Sequence, residues 1–281
     1  MPDVINIACK TPANVADTLS KTTCVAKTNA TVWKLVILGI LAGIYIAFGA
    51  AIATLVATDA AQFVGVGLSK FFIGAVFSVG LMLVVIAGAE LFTGNNLMLM
   101  SALDGRVPYT RVVYKWIVVY IANFLGSVLM AWLMLNTGLW KGGNFATGIT
   151  ALNIANAKVN LLWGEAFTRA ILCNVLVCLA VWMALASNNI VGRIWAIFFP
   201  IMTFVALGFE HCIANMYFIP LGILLKGTDA AAASGLNLGN LNWGSMVVNN
   251  LIPVTLGNMV GGALVVGLLY WLVYVKPANN K

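Results

Sequence analysis

Six long apolar stretches dominate this chain: Leu35 to Ala57, Phe71 to Ala89, Trp116 to Leu135, Ala170 to Ala186, Ile194 to Gly208 and Leu251 to Val275. Most of them approach the roughly 20 residues that an α-helix needs to cross about 30 Å of hydrocarbon. With 62% of its 281 residues hydrophobic and 8% charged, the chain lies far outside the balance of a soluble domain. The pattern predicts an all-α polytopic membrane protein with six transmembrane helices. Apolar character resumes after an interruption in Leu91 to Leu103 and again in Cys212 to Leu225, so spans 2 and 5 are expected to be broken.

The first apolar run starts too late, and runs too long, for a cleaved secretory signal. Residues 1–32 are therefore expected to form a cytoplasmic N-terminal arm, 33–276 a single channel domain and 277–281 a cytoplasmic tail. Lys10, Lys21, Lys27, Lys34, Arg106, Arg111, Lys115, Arg193, Lys276 and Lys281 fall on one side of six spans, and Lys70, Lys141, Lys158, Arg169 and Lys226 on the other. That bias places both termini in the cytoplasm of a multi-pass inner or plasma membrane protein. The formal charge of +7 reads as this topology signal and not as a nucleic-acid surface. Cys9, Cys24, Cys173, Cys178 and Cys212 have no metal-ligand spacing and read as packing residues; neither a metal nor a cofactor is expected.

A three-span unit occurs twice. Gly88-Ala89-Glu90-Leu91-Phe92-Thr93-Gly94-Asn95 matches Gly208-Phe209-Glu210-His211-Cys212-Ile213-Ala214-Asn215 without gaps. Asn123-Phe124-Leu125-Gly126-Ser127 likewise matches Asn258-Met259-Val260-Gly261-Gly262. Because three spans are an odd number, the copies, about 33–136 and 163–276, are expected to enter the membrane from opposite sides as an inverted 3+3 repeat.

Irregular backbone within hydrocarbon leaves amides unpaired, so both interruptions are expected to be buried in protein or to line a cavity. Each is followed by a half-helix whose free N–H groups point to the centre. Thr93, Asn95 and Asn215 suit the capping of those ends. Opposed helix N-termini favour an anion. Glu90 and Glu210 read as supports of the broken loops, Asn123, Asn174 and Asn258 as hydrogen-bonding links between helices, and Gly126, Gly257, Gly261 and Gly262 as sites of close packing. The sole histidine, His211, sits in a break beside a glutamate and reads as functional.

Four ordered segments resemble signatures of the formate/nitrite transporter family: residues 87–94, 174–182, 208–216 and 250–258. The resemblance implies an aquaporin-like helix arrangement and a homopentamer with one substrate pore through each subunit. It implies a mobile loop at Leu91, Phe92 and Thr93, one hydrophobic constriction at Leu91 and Phe204 and the other at Leu81. His211, Thr93 and Asn215 would be the polar groups between them, and Lys158 a basic residue of the outer vestibule. Phe209 and the run Tyr217 to Gly222 look closest to formate channels, and the hydrosulfide and nitrite branches share much of the pattern. Formate is thus the expected substrate, with nitrite, hydrosulfide, lactate and acetate as further small anions, and protons and the lipid bilayer as the other partners.

A bare anion in a dry constriction is costly. Protonating an acid of pKa about 4 at pH 7 costs about 4 kcal/mol, so passage as the neutral acid is expected, with the proton supplied through water or His211. An intramembrane enzyme is not expected, since one histidine and scattered cysteines supply neither a nucleophile and base nor a metal site. A water or glycerol channel would share the repeat but lacks its paired Asn-Pro-Ala breaks here, and an ammonium channel would want two pore histidines. A gating role for the arm, residues 1–29, follows from family analogy alone.

Overall fold

The computed structural model describes residues 9–276, which form helices joined by short connections. Residues 1–8 of the expected arm and the expected tail, 277–281, lie outside the described residues. A first helix, residues 12–29 (α1), starts where the Thr11 side chain accepts the Asn14 amide and Pro12 occupies the first turn, both standard helix starts. It carries a π turn at Leu19–Thr23. Then come Val32–Ala57 (α2) and Ala60–Gly88 (α3), a short helical segment at 92–103 (α4) and Tyr109–Asn136 (α5). The second half runs through Ala146–Val159 (α6), Trp163–Ala186 (α7), Ile190–Ala206 (α8), Cys212–Leu225 (α9) and Trp243–Tyr274 (α10).

Among the described residues, α2, α3, α5, α7 and α10 are long and apolar enough to cross a membrane, while α8 and α9 are shorter apolar helices. The helix expected from Phe71 begins earlier, at Ala60, and turns at Gly65, whose φ is +76°. The stretch before Lys70 contains no proline to stop it. Between Gly88 and Phe92, and between Ala206 and Cys212, the backbone leaves the helix.

The two halves pack alike. α5 lies against α2, and α10 against α7. A Cβ at Gly126 would run into the Ile40 carbonyl oxygen and one at Gly261 into that of Ile171, so these glycines let the backbones approach, as small residues do in membrane helix pairs.

The arm is tied to the body. Ser20 Oγ donates to Asp104 Oδ2 at 2.8 Å, Ser101 Oγ to the Ser20 carbonyl at 2.6 Å, Arg111 to Asn29 Oδ1 at 2.9 Å and Lys115 Nζ to the Ala30 carbonyl at 2.6 Å. Burial alone would raise the Asp104 carboxyl, but the Ser20 hydroxyl and the Arg106 guanidinium outweigh it and hold it below its ordinary range. A carboxyl depressed in the folded state stabilises above its unfolded value of about 3.9 and loses that contribution only as pH falls further. Amide exchange across residues 12–29, corrected for intrinsic rate, is therefore expected to be the same at pH 8 and pH 5, and to rise in Asp104→Ala.

Candidate functional site

Gly88 and Gly208 open the two interruptions with φ of +90° and +73°, a conformation that glycine adopts without strain. No neighbour crowds either position, so the backbone turn, not space, explains the residue. Extended residues follow, and helix resumes at Phe92 and Cys212.

Each exposed turn of backbone is met by an asparagine from the helix behind it. Asn123 of α5 accepts the Phe92 amide at 2.9 Å and donates to the Glu90 and Gly39 carbonyls at 2.9 and 2.8 Å. Asn258 of α10 accepts the Cys212 amide at 2.9 Å and donates to the Glu210 and Ala170 carbonyls at 3.0 and 2.8 Å. Both are fully buried. Asn174 of α7 donates to the Thr93 and Asn258 carbonyls and to Asn96 Oδ1, so it ties the first break to α10.

The two glutamates face lysines. Glu90 takes Lys27 Nζ of α1 at 2.9 Å, with Asn95 bonded to both. Glu210 takes Lys158 Nζ of α6 at 2.8 Å, with Asn215 donating to it at 2.6 Å and to Asn250 at 2.7 Å. The second pair is the more enclosed, with side-chain exposures of 14% and 5% against 30% and 11%. From sequence alone Lys27 stands out only as a topology charge and Asn250 only as part of a motif. The signal for Lys27 is the triplet Lys27-Thr28-Asn29, which repeats as Lys158-Val159-Asn160.

At the centre His211 Nε2 lies 3.0 Å from Thr93 Oγ1. The Ala214 amide donates to His211 Nδ1 at 3.1 Å, so that nitrogen is an acceptor. A neutral imidazole with Nδ1 accepting carries its hydrogen on Nε2, and His211 therefore donates to the Thr93 hydroxyl. The ring of Phe204 stacks on His211 at 5.9 Å.

Two vestibules lead toward this pair. The first, about 330 Å³, is lined by Lys27, Lys34, Arg193 and Glu90 and ends on Leu81 and Leu91. The second, about 260 Å³, is lined by Lys70, Lys158, Glu210 and Asn215 and ends on Phe204 and His211. Between them a small apolar chamber of about 10 Å³ is bounded by Leu81, Leu91, Phe204 and His211, with Phe77 and Ile46. Cations outnumber the carboxylate in each vestibule, which favours anions.

Leu81, Leu91, Phe204 and His211 border the chamber together, and Asn215 and Lys158 line the second vestibule. Thr93 lines neither vestibule nor chamber and reaches the site through its bond to His211. Leu91 lies with Leu81 on the first vestibule and Phe204 on the second, where the resemblance pairs Leu91 with Phe204. Phe92 lines neither vestibule nor chamber. As the first residue of α4 it turns away, and its ring packs edge-on against Tyr120 at 4.9 Å and Trp116 at 6.5 Å.

A helical scaffold with two cation-lined vestibules meeting at paired helix breaks defines a membrane channel or transporter. The formate/nitrite transporter family model matches residues 14–272. A probable formate transporter of Methanothermobacter thermautotrophicus is 45% identical over 278 residues, covering 93% of this chain and 97% of the relative. Formate channel FocA of Escherichia coli K12 is 36% identical over 249 residues, covering 86% and 87%. Among solved structures, a pentameric formate channel with formate bound superposes with a TM-score of 0.78 at 38% identity, covering 87% of this chain and 98% of that one. The chain belongs to the formate/nitrite transporter family.

Removing one partner of a buried ion pair leaves an uncompensated charge, typically at a cost of about 3–5 kcal/mol. Lys158→Met is expected to lower stability by that order, Lys27→Met by less, and Lys158→Met with Glu210→Gln to recover most of the loss. Thermal unfolding of the detergent-solubilised protein checks the ranking.

Proposed function

We propose that this protein is a formate channel that assembles as a homopentamer with a separate pore through each subunit. The observation that carries the reading is the Thr93–His211 hydrogen bond beside a small apolar chamber, with a cation-rich vestibule on either side. The relatives named as formate transporters and formate channels support the choice of anion.

In this reading the chain crosses the membrane six times, α3 with α4 and α8 with α9 each making one interrupted crossing. The two halves are inverted copies, and each copy takes in the preceding helix, α1 or α6, that carries its lysine. The excess of Lys and Arg on one side puts both termini in the cytoplasm. Leu81 and Leu91 form the inner constriction, Phe204 the outer one.

The lysines and the helix N-termini of α4 and α9 draw a small anion to the constrictions. There Nε2–H of His211 is offered to it in place of Thr93. The anion crosses the dry chamber as its neutral acid, which avoids stranding a charge in low dielectric. The proton arrives through vestibule water. A relay through His211 would require Nδ1 to take a proton, and that nitrogen already holds the Ala214 amide. Asn215 Oδ1, buried without a hydrogen-bond partner among the described residues, is an acceptor for the acid's hydroxyl at the outer end.

Uptake of formate, nitrite, hydrosulfide, lactate and glycerol into proteoliposomes at pH 5.5 and 7.5 tests the reading. Formate flux that rises as pH falls is expected, and glycerol flux without anion flux would overturn it. In His211→Phe, which keeps an aromatic ring but has no donor, pH-dependent formate uptake is expected to fall at least tenfold. Undiminished pH-dependent flux in that variant would remove His211 from the mechanism.

A further inference from the structure

Besides the bonds that Asn174, Ser127 and His211 make across the two halves, a side-chain hydrogen bond joins α5 to α10 away from the chamber. Tyr120 Oη of α5 lies 2.8 Å from Thr255 Oγ1 of α10. Three residues further along α5 is Asn123, which holds the first break; three residues further along α10 is Asn258, which holds the second. Residues three apart on a helix share a face. Each loop-holding asparagine therefore rides on the same helix face as one of the two bonded hydroxyls.

The contact is also connected forward. The Phe92 ring meets Tyr120 edge-on at 4.9 Å, and Phe92 immediately precedes Thr93, the partner of His211. α5 packs on α2 and also on α9 of the other half, and α10 packs on α7. The Tyr120–Thr255 bond adds a direct tie between α5 and α10, on the faces that carry the two loop-holding asparagines, and so bears on the separation of the loops that bring Thr93 to His211.

We propose that Tyr120 and Thr255 are a positioning pair for the pore: their hydrogen bond helps hold the two breaks at the spacing at which Thr93 and His211 meet. Neither residue lines the vestibules or the chamber; both line a separate apolar groove of about 510 Å³ between α5 and α10, and the Thr255 hydroxyl also meets the Cys212 side chain at the start of α9, so the pair bears on the substrate path through the breaks. The inference rests on the reading of the chain as a formate pore.

The readout is the ratio of formate to lactate uptake in proteoliposomes, which depends on pore width and not on how much folded protein is present. Tyr120→Phe and Thr255→Val are each expected to shift that ratio about threefold, the factor that matches the average worth of an interhelical hydrogen bond within a membrane. Tyr120→Phe combined with Thr255→Val is expected to shift it no further than Thr255→Val alone, and Thr255→Ser, which keeps the hydroxyl, to stay at the unmodified value. Shifts that multiply in the double variant, unchanged ratios in both single variants, or Ser behaving like Val would each overturn the proposal. If Tyr120→Phe does not fold, the contrast between Thr255→Val and Thr255→Ser decides. Absence of formate uptake by the unmodified protein would instead remove the formate reading itself.

Discussion

Backbone amides that leave a helix inside hydrocarbon have no water to bond, and each orphan costs several kcal/mol. Everything at the centre of this protein follows from that constraint. Asn123 and Asn258 answer it by using both ends of their amide groups. The oxygen caps the restarting helix, and the nitrogen bridges the loop to α2 or α7. An alanine at either position would take the hydrogen bonds from two loop groups at once, the amide of Phe92 or Cys212 and the carbonyl of Glu90 or Glu210. The close approach of α5 to α2 and of α10 to α7, at Gly126 and Gly261, is what brings those asparagines within reach.

The breaks themselves were legible because their determinants are local. A glycine at positive φ, a glutamate two residues later and an asparagine five beyond that lie within eight residues, and the pattern occurs twice. Contacts that depend on register over long separations were not legible. Lys27 is 63 residues from Glu90 and Lys158 is 52 from Glu210, so unequal connections hide a shared arrangement. Asn123 and Asn258 read as links between helices, which they are, but their aim at the loop backbone depends on how α5 and α10 are rotated. Phe92 sits in the motif between Leu91 and Thr93, yet a helix start sends successive side chains about 100° apart, and Phe92 faces Tyr120 while Leu91 faces the vestibule.

Symmetry in the scaffold is coupled to asymmetry in the chemistry. Leu91 stands in the first break where His211 stands in the second, and Thr93 stands where Ile213 stands. The polar pair is therefore made between unlike positions of the two copies, one donor and one hydroxyl, rather than by two identical groups. The lysine clusters differ as well. Lys27 bonds both Glu90 and Asn95, whereas Lys158 bonds Glu210 and rests 5.4 Å from the Phe218 ring.

The order of these residues along the chain bears on how the protein is made. Lys27 precedes Glu90 and Lys158 precedes Glu210, so on a ribosome that releases the chain from its N-terminus each cation emerges before the carboxylate it will meet. By the time Glu90 or Glu210 is synthesised, its counter-charge is already present on an earlier part of the chain. Neither acid has to wait in lipid for a partner that has yet to be synthesised.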